Sequence, residues 1–121
     1  MSVKIKDNEI TMTRGDTMRT RVKVFRKVDD EKVPYIPTEN DEIRFALKHP
    51  TMNAARTEYI DSEPLILRSI PVDTLILELI PSDTKSLGFG DYVYDIELTM
   101  EDGTVDTFIE KKKFTLTPEV H

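Results

Sequence analysis

Alternation is the strongest constraint in this chain. In the stretch YVYDIELTM, apolar side chains fall at Tyr92, Tyr94, Ile96, Leu98 and Met100, and polar ones at Asp95, Glu97 and Thr99. A repeat of two residues is that of a pleated strand, whose successive side chains leave opposite faces, and a helix cannot gather such a set on one side. The run stops at Glu101, Asp102 and Gly103, and an Asp-Gly pair after an alternating strand favours a reversal, so residues 104–110 form the return strand. The same period recurs elsewhere. Ile10 and Met12 alternate with threonines, and Ile43, Phe45 and Leu47 point inward with Arg44 and Lys48 outward. Met18, Thr20, Val22 and Val24 oppose Arg19, Arg21 and Lys23, which predicts one long half-buried strand with a charged outer side. A last strand, residues 114–117, follows the run Lys111, Lys112, Lys113.

PLILRSIP and TLILELIP form a near-repeat separated by Val72 and Asp73, read as the two arms of a hairpin, with Pro64, Pro71 and Pro81 at strand ends because proline cannot donate to a ladder. Two copies at this spacing are too few and too short for a solenoid. Residues 82–87 follow Pro81 and precede Gly88, so Ser82 or Asp83 caps one short helical turn that Gly88 ends. About eight or nine short strands with turn signals roughly every ten residues, and one helical turn, predict an all-β fold of one domain over residues 1–121: two packed antiparallel sheets. A helical turn, a glycine and then a strand opening on tyrosines resembles the corner of immunoglobulin-like sandwiches where a tyrosine hydroxyl bonds back to the preceding turn, with Tyr92 in that role.

Composition narrows the chemistry. A chain of 121 residues can bury a core without staples, and this one has no cysteine for a disulfide, a thiolate metal site or a thiol nucleophile. Its net charge of -6 argues against a general phosphate-binding surface, so nucleic acid is not the expected partner. The opening MSVKIKDNEI lacks the apolar run of a secretory signal, and no later run is long enough to cross a bilayer, so membrane insertion is not expected.

With only His49 and His121, the chain lacks a histidine pair for a metal and the partners of a Ser-His-acid triad, and it contains no GxSxG, HExxH or GxxxxGK motif. Three acidic clusters, Asp29-Asp30-Glu31, Glu39 with Asp41 and Glu42, and Glu101-Asp102 with Asp106, read as solvated loops and strand ends. They lack the spaced oxygen ligands of an EF-hand loop. No catalytic residue, metal or cofactor is expected, and the chain is read as non-enzymatic.

Contact surfaces are the remaining place to look. Arg19, Arg21 and Lys23 on one strand face, and Lys111, Lys112 and Lys113, either pair with acidic neighbours such as Glu78 or dock an acidic partner. Two long loops, residues 29–41 and 49–63, carry Tyr35 and Tyr59. Tyrosine suits contact surfaces, although Tyr35 could equally cap an open end of the sandwich. The tripeptide Arg14-Gly15-Asp16, known as an integrin-binding signal, lies between strands, where glycine permits a positive φ and aspartate bonds the following backbone, so it reads as a turn.

The order ITMTRGDT, DEIRFALK and LILELIPSDTKSLGFGDYVYDIELTMEDGTVDTFIEKKKFTLTPEV resembles the immunoglobulin-like amino-terminal domain of baseplate upper proteins of tailed phages from Gram-positive bacteria, and related small prophage tail proteins. The likeness covers roughly residues 10–120 and rests on packing and turn positions, the RGD included. It implies a virion structural protein made in the bacterial cytoplasm, located in the phage tail, and assembling with other tail or baseplate proteins as a homo-oligomer. It carries over no active-site residue. The alternative is a carbohydrate-binding or cell-surface adhesion sandwich, against which stands the absence of tryptophan to stack on a sugar ring.

Overall fold

The computed structural model describes residues 3–51, 54–57 and 63–118. In chain order the elements are β1 (Val3–Lys6), β2 (Glu9–Thr13), β3 (Met18–Arg21), β4 (Phe25–Val28), β5 (Glu31–Pro34), β6 (Glu42–Lys48), β7 (Pro64–Ile70), β8 (Ile76–Leu79), α1 (Pro81–Thr84), β9 (Gly90–Thr99) and β10 (Val105–Thr117). Among the described residues the fold is all-β apart from the single turn of α1. Six strands form one sheet in the order β1-β2-β10-β9-β6-β7, and two smaller sheets pair β3 with β8 and β4 with β5. Every pairing is antiparallel except β2 with β10, which is parallel.

The alternation places the core where it predicts. Ile43, Phe45 and Leu47 of β6, and Tyr92, Tyr94, Ile96 and Leu98 of β9, are buried, and they meet Met18, Leu77 and Leu79 of the β3-β8 pair in one hydrophobic cluster. Phe45, Tyr94 and Phe114 lie at the centre: Phe45 sits 5.5 Å from Tyr94 and 6.2 Å from Phe114, and Tyr94 meets Phe114 edge-on, the geometry aromatic quadrupoles favour. Between β9 and β10 the Met100 N–H bonds the Thr104 carbonyl at 2.8 Å and the Gly103 N–H the Met100 carbonyl at 2.8 Å, so the reversal is a three-residue loop, Glu101-Asp102-Gly103, closed by Gly103 at a φ of 92°.

Four expectations need correction. The near-repeat is not a hairpin: β7 pairs with β6 and β8 with β3, so residues 71–75 carry the chain from one sheet to another. Matching alternation makes two strands alike without making them neighbours. Val72 and Asp73 are not the residues of a tight two-residue turn, and the reversal instead uses a Leu75 to Pro71 hydrogen bond of 2.8 Å with Leu75 at a φ of 59°. The long strand after the RGD ends at Arg21. Val22 and Val24 stay buried, but the chain then enters the β4-β5 hairpin, which occupies much of the expected 29–41 loop. Asp29 and Asp30, at φ 50° and 66°, turn it, since aspartate tolerates the left-handed region.

The third correction concerns the lysine run, which does not separate two strands. β10 continues through it, with Glu110 and Lys111 bulging opposite Asp95 and Lys111 at a φ of 49°. With β1, β4 and β5 added and the last two expected strands merged, ten strands replace eight or nine among the described residues. Finally, the helical turn starts and ends early: Ile80 is its N-cap in place of Ser82 or Asp83, Pro81 is its first residue, and it stops at Thr84 rather than at Gly88. Asp83 acts from the third position, accepting the Ile80 N–H at 2.8 Å. The Tyr92 hydroxyl bonds back to the preceding turn, donating to the Gly88 carbonyl at 2.7 Å.

Candidate functional site

Several aspartates accept hydrogen bonds from the chain's own backbone. Asp106 accepts the Lys27 N–H at 3.1 Å, and Asp102 accepts the Thr104 N–H at 2.9 Å, a bond that lowers the Asp102 pKa. Asp41 is only 6% exposed. It accepts the Tyr35 hydroxyl at 2.6 Å, the Thr38 N–H at 2.9 Å and the Glu101 N–H at 3.1 Å. Burial disfavours its charge, but these hydrogen bonds outweigh it and hold the carboxyl below its ordinary value. Among the described residues no group of three or more histidines or carboxylates is placed to hold a metal ion. His49 lies against Tyr92 with ring centroids 5.6 Å apart.

The RGD segment is built into the fold. Gly15 has a φ of 85°, and its N–H donates to the hydroxyl of the fully buried Thr84 at 2.8 Å. The Arg14 guanidinium bonds the Leu87 carbonyl at 3.2 Å and stacks 4.2 Å over Phe89. Asp16 joins the turn through its backbone, its N–H reaching the Thr13 carbonyl at 3.2 Å.

The sequence-derived contact residues do not make one patch. Arg19 pairs with Glu78 across the β3-β8 ladder at 3.2 Å, the self-contained arrangement that cross-strand pairing anticipates. Lys113 reaches Asp91 at 3.7 Å, and the exposed Lys112 stands opposite Tyr94 in register. Lys111 lines a groove of about 410 Å³ on the outer face of the large sheet, with Arg44, Lys48, Asp95, Glu97 and Glu110. That groove is internally neutralised: Asp95 pairs with Lys48 at 3.1 Å and accepts the Lys111 N–H at 2.6 Å. Tyr35 packs on the core with its hydroxyl on Asp41, which favours its capping role. Tyr59 lies outside the described residues.

Arg21 and Lys23 belong instead to a cleft of about 480 Å³ between the β1-β2 hairpin and β3. Ile10, Val22, Leu77, Tyr94, Ile96 and Phe108 line its apolar floor. Arg21, Lys23 and Lys32 supply the charge at its rim, and among the described residues no carboxylate lines it. Lys32 spans one end, donating to the Phe108 carbonyl at 2.7 Å, and the Tyr94 hydroxyl bonds the Asn8 carbonyl at another point of the lining. Burial pushes the Tyr94 hydroxyl up to about 12. The part played by Lys32 is invisible while 29–41 is read as a loop. The signal available was the pair Asp29-Asp30 between the short alternating runs FRKV and EKVP. The cleft offers no nucleophile beside a base; it offers apolar contact, positive charge and unpaired strand edge.

Compared with protein-family models, curated proteins and solved structures, the chain matches none of them.

Proposed function

We propose that this chain is an immunoglobulin-like assembly module of a phage or prophage tail or baseplate, acting by protein–protein contact rather than catalysis. The observation that carries the fold part is the Tyr92 hydroxyl on the Gly88 carbonyl, at the start of β9 and just after the connection from β8. That is the position of the tyrosine corner at the start of strand F. The strand order supports it: β10, β9, β6 and β7 correspond to G, F, C and C′, with β3 and β8 opposite as B and E. The tail assignment rests on the likeness of ITMTRGDT, DEIRFALK and the YVYDI–EDG–FTLTPEV segment to baseplate proteins. Arg19, Arg21, Lys23, Tyr35, Tyr59 and the three lysines remain the proposed contact residues, with Arg21 and Lys23 foremost because they line the cleft.

The test is to purify phage particles on a density gradient from the source strain and look for this chain by mass spectrometry. A fixed ratio to the tail proteins, and defective tails in a deletion strain, are the expected results. Particles without the chain, and normal tails in its absence, would refute the tail assignment.

A further inference from the structure

We propose that the cleft between β1 and β3 receives an extended, acidic segment of a partner protein, laid along the open edge of β3 with an apolar side chain in the cleft. The inference rests on the reading that this chain works by binding other proteins, and not on where the assembly is located.

The open edge comes from the pairing. Among the described residues β3 is bonded only to β8, and β1 only to β2, so the strands on the two sides of the cleft are both sheet edges. In the β3-β8 ladder the pairs Met18–Leu79 and Thr20–Leu77 are in phase with the Val22 N–H to Leu75 carbonyl bond of 2.8 Å. Antiparallel pairing alternates, so the backbone N–H and C=O of Arg19 and Arg21 point away from β8, toward the vacant side. An exposed edge of this kind is a template for one more strand.

Side chains specify the occupant. A strand presents alternate residues to opposite faces, so one added here would send every second residue toward Val22, Leu77 and Phe108 and the rest outward. The cleft's volume, about 480 Å³, falls within the roughly 300–1,000 Å³ of sites that hold sizeable groups. Around it stand Arg21, Lys23 and Lys32, and among the described residues neither Arg21 nor Lys23 has an ion-pair partner. The Lys32 ammonium donates to the Phe108 carbonyl and keeps further protons for a carboxylate. A wholly basic rim on a chain of net charge -6 reverses the local sign, which attracts acidic partners and repels basic ones.

The experiment is fluorescence anisotropy with a labelled peptide alternating glutamate and valine, against four controls. These are lysine in place of glutamate, serine in place of valine, N-methylation of alternate amides, and laurate as competitor. The alternating acidic peptide is expected to bind, with a loss of about tenfold or more for each altered peptide and for the Arg21→Glu/Lys23→Glu variant. N-methylation tests strand addition without altering the protein, so the result does not depend on how that variant folds. No binding up to about 1 mM peptide would overturn the proposal. Equal binding of the N-methylated peptide with full displacement by laurate would overturn it in favour of an amphiphilic anion. A concentration-dependent dimer in sedimentation, abolished by the charge reversal, would overturn it in favour of a second copy. Failure here with the chain still present in particles sinks only this inference; peptide binding with the chain absent from particles sinks only the tail assignment.

Discussion

Replacing Asp41 by asparagine tests whether one buried carboxylate fastens the β5-β6 connection to the β9-β10 turn. In the native chain it accepts from Tyr35 and Thr38 in the β5-β6 connection and from Glu101 in the β9-β10 turn. Asparagine keeps the shape but has one acceptor oxygen. If that oxygen serves Tyr35 and Thr38, the amide nitrogen faces the Glu101 N–H, donor against donor. One charge-assisted bond is lost and two become neutral, and since such bonds contribute about 1.5–3 kcal/mol, the expected cost is about 2–3 kcal/mol. With an unfolding entropy of about 2.1 cal/mol/K per residue, or about 250 cal/mol/K for this chain, Tm at pH 7 falls by about 8–12 °C.

Acid should close that gap. The carboxyl of Asp41 has a folded-state pKa below its ordinary 3.8, so its stabilisation is complete above 3.8 and fades as pH falls through the folded value. The variant has no carboxyl at that position to titrate. Circular dichroism melts of both proteins from about pH 6 to about pH 2.5 should therefore show the Tm difference shrinking at the acid end. A variant that melts with the native protein at pH 7, or a gap unchanged across that range, would refute the reasoning.

Tyr92→Phe removes the hydroxyl bonded to Gly88 and leaves the ring, so denaturant unfolding should show a loss of about 1 kcal/mol with the m-value unchanged. Tyr94 has its pKa raised to about 12 from 10.0, so its contribution is intact below pH 10.0 and lost as pH rises through the folded value. Tyr94→Phe should flatten that alkaline decline in a pH series of melts. Gly103→Ala meets no atom within 4 Å but must hold a φ of 92°. Backbone strain alone should then cost about 1–2 kcal/mol by denaturant titration, with Gly103→Asn milder.

The sequence was legible where a local pattern meets one environment. Tyr92 to Leu98 alternate because one face meets the core, and Gly103 marks its turn because few residues accept that φ. Partner choice was not legible. The arms PLILRSIP and TLILELIP look alike because each buries one face, and nothing local says that one lies beside β6 and the other beside β3. The bulge at Glu110 and Lys111 was hidden for a related reason: charged residues between two apolar runs look like a loop until Asp95 is there to accept the Lys111 N–H. Of the cleft, Arg21 and Lys23 could be named in advance, whereas Lys32 joins them only through a hairpin turned without glycine.

The parallel pairing of β2 with β10 has a mechanical consequence. Ile10 to Thr13 lie beside Phe114 to Thr117 in register, and the Arg14 N–H adds a bond to the Thr117 carbonyl at 3.0 Å. Tension that pulls β2 toward its start and β10 toward its end slides one strand along the other, so the bonds of the ladder share the load and must yield together. The β1-β2 hairpin is loaded differently: the same pull peels its antiparallel bonds one after another. Under traction the outer hairpin should therefore open at low force, while the β2-β10 ladder holds the rest of the sheet closed as a shear clamp.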